Sequence, residues 1–165
     1  MRPMRYYFFG TLMDRELLAV VLGRAPPDGA FEPVELVGYM RCCVRGEAFP
    51  TLLPKARAVV DGLLVHGLTA ADAQRIAWYE TDDYEIRETA VRRRHGGEIR
   101  AFCCLPHTDV ADEARPWSFD VWRRRDRDMA LLLAREWMRR FGIDDPDEAE
   151  RDYQARKRRF LGADQ

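Results

Sequence analysis

Serine occurs once in this chain, at Ser118, and lysine twice, at Lys55 and Lys157. Ser118 lies outside any GxSxG turn, so the strained elbow that exposes a nucleophilic serine is absent. Neither GxxxxGK(S/T) nor GxGxxG occurs, which removes the glycine-rich loops that cradle nucleotide phosphates. There is no HExxH and no CxxC. The cysteines come as two adjacent pairs, Cys42-Cys43 and Cys103-Cys104. Neighbours on a strand point to opposite faces, so neither pair can grip one ion from one side. His66, His95 and His107 lack zinc-site spacing. No metal or cofactor is expected, and the thiols should be buried and reduced.

Long apolar runs are missing as well. Nothing approaches the roughly 20 residues that span a bilayer. The run from Tyr6 to Met13 is short, contains Gly10 and Thr11, and meets Asp14-Arg15 without a small-residue cleavage site. It is expected to be a strand rather than a signal peptide, and the protein to be cytoplasmic with no membrane partner. Charge of one sign is also lacking. The formal net charge is −1, and neither half forms a basic arm, so nucleic acid is not an expected partner. Nearly all cations are arginine, which reads as composition bias. Arg92–Arg94 and Arg123–Arg125 read as solvated surface.

What is present suits one globular domain: 165 residues, 47% hydrophobic and 33% charged. Arg5–Phe9 reads as a buried aromatic strand ended by Gly10. Asp14 should cap a helix carrying Leu17, Leu18, Val21 and Leu22, closed by Gly23. Residues 24–30 hold two prolines and a glycine and read as loop. Phe31–Val44 predicts one or two strands interrupted at Gly38. The prolines of 49–54 impose extended geometry, and Val59–Val65 predicts a strand with a bulge or close approach at Gly62. Thr69 with Asp72 predicts a capped helix through Ala73, Ile76 and Ala77. His95-Gly96-Gly97-Glu98 joins Tyr84–Arg94 and Ile99–Leu105 as a hairpin.

Beyond Pro116 the pattern is helical. Phe119, Trp122, Met129, Leu133, Trp137 and Phe141 share one face of a helix stopped by Gly142, and Asp145-Pro146 starts a last helix with Ala149, Tyr153 and Phe160. Five or more strands without full crossover helices predict an α+β fold, a small mixed β-barrel with flanking helices. The C-terminal helices would be a cover or a homodimer surface.

Two segments carry candidate chemistry. Gly10-Thr11-Leu12 follows a strand, where a turn into helix leaves backbone N–H groups free for a carbonyl or anionic oxygen. Glu80 sits in Trp78-Tyr79-Glu80-Thr81-Asp82-Asp83-Tyr84, at the end of a predicted helix. Aromatic surroundings, the negative helix end and the charges of Asp82 and Asp83 all push its pKa upward, as a proton shuttle requires.

Together these segments resemble a known family. Phe9-Gly10-Thr11-Leu12 is similar to the Tyr-Gly-Ser/Thr-Leu signature of γ-glutamylcyclotransferase-like (avirulence-induced-gene-like) proteins. Residues 49–54 are similar to that family's aromatic-Pro segment, 60–64 to its next Gly-bearing strand, and Trp78-Tyr79-Glu80 with Tyr84 to its acidic signature. The resemblance runs from about Tyr6 to Leu105 and departs at Phe9, Ala77 and Ile86. It implies one such domain over 1–165, with a helical extension from about 117. It also implies cyclisation of a γ-glutamyl amide to 5-oxoproline with release of an amine, with Glu80 as acid/base. Phe9, Gly10, Thr11, Leu12 and Tyr84 would contact the small-molecule γ-glutamyl substrate. The alternative is a non-catalytic small-molecule-binding module on the same fold.

Overall fold

The computed structural model describes residues 2–81, 84–106 and 111–160. Its strands are β1 (Met4–Phe8), β2 (Phe31–Val44), β3 (Pro50–Leu68), β4 (Tyr84–Arg93), β5 (Glu98–Pro106) and β6 (Ala111–Pro116). The sheet runs β3-β1-β5-β4-β2, and a β2–β3 pairing closes it into a five-stranded barrel. β1 pairs with β5 in parallel; the other pairs are antiparallel. The architecture is the α+β barrel with flanking helices.

β2 is the single-strand alternative over Phe31–Val44, and β3 is continuous where separate segments were expected. Pairing runs from Phe31↔Val65 to Cys43↔Pro50, and Gly38 is absorbed as a register shift between Val37 and Tyr39. Its φ of +90° lets the ladder bend without breaking. Residues 50–54 and 59–65 therefore belong to one strand. β6, which the pattern analysis missed, is a short charged strand on the edge of β2, ending at Pro116.

Alternation on β1 sends its aromatics to two cores. Tyr7 joins Leu64, Val91 and Cys103 inside the barrel, whereas Tyr6, Phe8 and Cys104 pack towards the helices. The adjacent Cys103 and Cys104 thus point to opposite faces, and all four cysteines are buried. Gly62 is needed for a close approach: a Cβ there would stand 2.1 Å from the Tyr7 ring. The Tyr7 hydroxyl donates to the Val60 carbonyl at 3.2 Å beside it.

The described helices are α1 (Arg15–Leu22), α2 (Ala70–Glu80), α3 (Phe119–Arg125), α4 (Arg127–Met138) and α5 (Pro146–Phe160). Asp14 caps α1 by accepting from the Leu17 N–H, and Gly23 closes it at φ +70°. Thr69 and Asp72 form a reciprocal capping box on α2. The single helix expected over 119–141 is instead broken at Asp126 (φ −122°) and ends at Met138, four residues before Gly142. Arg127 explains the break: its guanidinium pairs with Asp14 (2.6 Å) and Glu16 (2.6 Å) of α1. Among the described residues no helix is long and apolar enough to cross a membrane. Arg92 and Arg93 lie on the surface, paired with Glu35 and Glu32, and Arg123–Arg125 are exposed.

Candidate active site

β1 ends at Phe8, and the chain turns at Gly10 into a single 3-10 turn, Thr11–Met13. That turn's own bonds begin with the Met13 N–H to the Gly10 carbonyl and the Asp14 N–H to the Thr11 carbonyl, both 3.0 Å. The Thr11 and Leu12 N–H groups have no acceptor within it. Gly10 is pressed against β3, where an added Cβ would come within 2.9 Å of the Pro50 ring. No side chain fits at this position without displacing that ring.

Glu80 is the last residue of α2. Thr81 follows at φ +62°, an uncommon conformation for a non-glycine residue, and its N–H bonds the Ala77 carbonyl to finish the helix. The turn is braced from the C-terminal side. The Trp137 indole donates to the Trp78 carbonyl at 3.0 Å and stacks on the Trp78 ring at 5.0 Å.

These pieces enclose one cavity of about 350 Å³. Phe9, Gly10, Thr11, Leu12, Glu80 and Tyr84 all line it. The first four arrive from the end of β1, Glu80 from the end of α2, and Tyr84 from the start of β4. A side-chain hydrogen bond between Thr11 and Tyr79 ties the two segments together. Segments 69 residues apart in sequence thereby form a single wall.

The Glu80 carboxyl is pushed up to about 8 by burial. The residue keeps intermediate surface exposure where it lines the cavity, while the protein packed around it withholds water. Asp82 and Asp83, the charges expected to add to the shift, lie outside the described residues. Burial also raises its neighbours: Cys103 to about 12, and Cys104 and the Tyr79 hydroxyl further upward, with the Glu80 charge adding to each. A carboxyl poised near neutrality beside backbone amides can take a proton from one nitrogen and return it to another.

α4 and α5 complete the enclosure. Met129, Leu133 and Trp137 of α4 form an apolar wall, and Glu150, Tyr153 and Lys157 of α5 a polar one. Helical spacing had placed the α4 residues on one shared face. Trp137 is core that also borders the site, Met129 and Leu133 are partly buried on the cavity wall, and these helices cover the cavity. Of the α5 residues only Tyr153 was noted, as part of the last helix; Glu150 and Lys157 went unnoticed, although their i, i+3, i+7 spacing with Tyr153 was a usable signal. Among the described residues no group of three His, Cys, Asp or Glu side chains is arranged to hold a metal.

With this geometry in hand, the chain can be set against known proteins. A family model described as gamma-glutamyl cyclotransferase, AIG2-like, matches residues 6–124. AIG2-like protein B of Arabidopsis thaliana is 24% identical over 72% of this chain and 68% of its own length. AIG2-like protein C of the same plant is 24% identical over 80% of this chain and 76% of its own. Among solved structures, an Arabidopsis thaliana protein determined in solution superimposes with TM-score 0.62 at 21% identity, covering 90% of this chain and 92% of that one. A gamma-glutamyl cyclotransferase does so with TM-score 0.55 at 15% identity, covering 65% and 68%. The structural likenesses establish the fold.

Proposed function

Because the chain belongs to the AIG2-like gamma-glutamyl cyclotransferase family, we propose that it cyclises a γ-glutamyl amide to 5-oxoproline and releases the amine. One observation carries the reading: Glu80, with its carboxyl raised to about 8, shares a cavity with the Gly10–Leu12 turn.

In this reaction the substrate's own α-amine attacks its γ-carbonyl carbon. Glu80 as carboxylate takes a proton from the α-ammonium, which frees the lone pair. The new C–N bond closes the five-membered ring, and charge gathers on the former carbonyl oxygen. The Thr11 and Leu12 amides would hold that oxygen or the substrate carboxylate, where fixed donors cost no reorganisation. Glu80 then returns the proton to the departing nitrogen as the old C–N bond breaks. The ring nitrogen sheds its second proton to the released amine, which departs as an ammonium, and no water is consumed. Because attack is intramolecular, holding the substrate folded can supply several kcal/mol of the rate enhancement. Tyr84 and Phe9 would confine the glutamyl chain.

The test is a mass-spectrometric screen of γ-glutamyl compounds for 5-oxoproline, with Glu80→Gln beside the wild type. Wild-type release that the variant lacks supports the reading. Binding without any release from wild type favours the non-catalytic module instead.

A further inference from the structure

Four polar residues of α5, namely Glu150, Tyr153, Gln154 and Lys157, border the cavity. Spacings of i, i+3, i+4 and i+7 place them on one stripe, so the helix turns a continuous polar face to the site. Lys157 is the single cation among the cavity-lining residues. It is half-buried, yet it makes no hydrogen bond or ion pair with any other described residue. On its own helix Glu150 accepts from Gln154 at 2.7 Å and Arg156 bonds Glu136 at 2.6 Å, while Glu47, Glu80 and Asp126 line the same cavity. An ammonium on a cavity wall, unpaired among the described residues, is a donor that an incoming carboxylate can engage in a charge-assisted hydrogen bond. α5 lies beyond the family-matched residues 6–124, so the family likeness assigns it no role.

Resting on the cyclotransferase reading, we propose that Lys157 is a substrate-binding residue that recognises a carboxylate, which makes α5 the recognition wall of the cavity. The carboxylate is either the one on the glutamyl unit or one carried by the departing amine. The apolar wall of α4 suits an amine with an apolar body.

Three variants test this. Lys157→Gln removes the charge, Lys157→Arg keeps it, and Lys55→Gln removes an exposed lysine on β3 as a control. The substrates are γ-glutamylphenylalanine and γ-glutamylphenethylamide, which differ in the carboxylate of the amine. Calorimetric titration with 3-phenylpropionate adds a readout that needs no turnover. Lys157→Gln should raise KM about tenfold, the weight of a charge-assisted hydrogen bond, with kcat within about twofold of wild type. Lys157→Arg should recover most of the loss, and phenylpropionate should bind Lys157→Gln about tenfold more weakly.

A KM effect on both substrates assigns Lys157 to the glutamyl carboxylate; an effect on γ-glutamylphenylalanine alone assigns it to the amine. Unchanged KM and unchanged phenylpropionate affinity in Lys157→Gln overturn the proposal and leave the cyclotransferase reading intact. If wild type releases no 5-oxoproline, that reading fails, and the titration alone decides on Lys157. Phenylpropionate binding lost in Lys157→Gln then supports it; equal binding, or none to wild type, overturns it.

Discussion

The Trp137 indole N–H donates to the Trp78 carbonyl at 3.0 Å, so α4 holds the last turn of the helix that presents Glu80. That carbonyl belongs to the end of α2, where an intrahelical partner is wanting. Trp137→Phe keeps much of the ring stack and deletes the donor. It should lower stability by about 1–2 kcal/mol and reduce kcat more than it raises KM, because Glu80 loses its bracing. Urea unfolding alongside steady-state kinetics measures both. A variant with wild-type kcat would show that the last turn needs no brace.

Glu80→Gln preserves shape and cannot exchange a proton at working pH. Turnover should fall by roughly two or more orders of magnitude while binding of γ-glutamyl compounds stays near wild type. Turnover at the wild-type rate would mean that another group is the base.

The raised Glu80 carboxyl also predicts a pH profile. The base must be ionised, and near neutrality a group titrating at about 8 is mostly protonated. kcat/KM should therefore climb as pH rises through about 8, the limb belonging to the free enzyme. An ascending limb near the ordinary glutamate range would place the working carboxyl in a wetter site.

Stability should move the opposite way. The folded protein holds the Glu80 proton between the ordinary value of 4.5 and about 8, whereas the unfolded chain has released it. The unfolded state binds fewer protons in that window, so stability declines as pH rises across it. Glu80→Gln should flatten the decline and be the more stable protein at pH 8. Thermal unfolding of both proteins at pH 5 and pH 8 is the check, and parallel slopes would refute it.

Asp14 behaves as the opposite case. Burial works to raise its pKa, but the Arg127 hydrogen bond, the Leu17 N–H and the Arg127 charge outweigh that and lower it. Its contribution is present above the usual aspartate range of about 4 and is lost as pH falls below it. Arg127→Met strands a buried carboxylate and should cost about 2–4 kcal/mol at pH 7, and less in acid. Because Arg127 starts α4, loss of the pair should also loosen the cavity wall. Denaturant melts at pH 7 and pH 3.5 would expose the difference.

Much of this protein was legible in one dimension because the governing physics is local. Asp14 and Gly23 bound α1, Thr69 and Asp72 cap α2, and the two glycines after His95 join β4 to β5, each through contacts within a few residues. Glu80 stood out for a local reason too, a carboxylate at a helix end among aromatics. The cause assigned to its raised pKa was incomplete for the same reason. Desolvation depends on what packs around a group, and here that includes β1, α4 and α5 as well as its sequence neighbours. The break at Asp126 was invisible because it answers to Arg127 reaching an aspartate 113 residues earlier. By itself, the sequence determined the short-range geometry, namely the caps and the hairpin, and the chemical identity of the site residues. Only the tertiary structure decided that β2 and β3 close a barrel, that Gly10 and Glu80 share a cavity, and that α5 faces it with Lys157. Those relationships rest on burial and long-range pairing, which no local stretch of chain encodes.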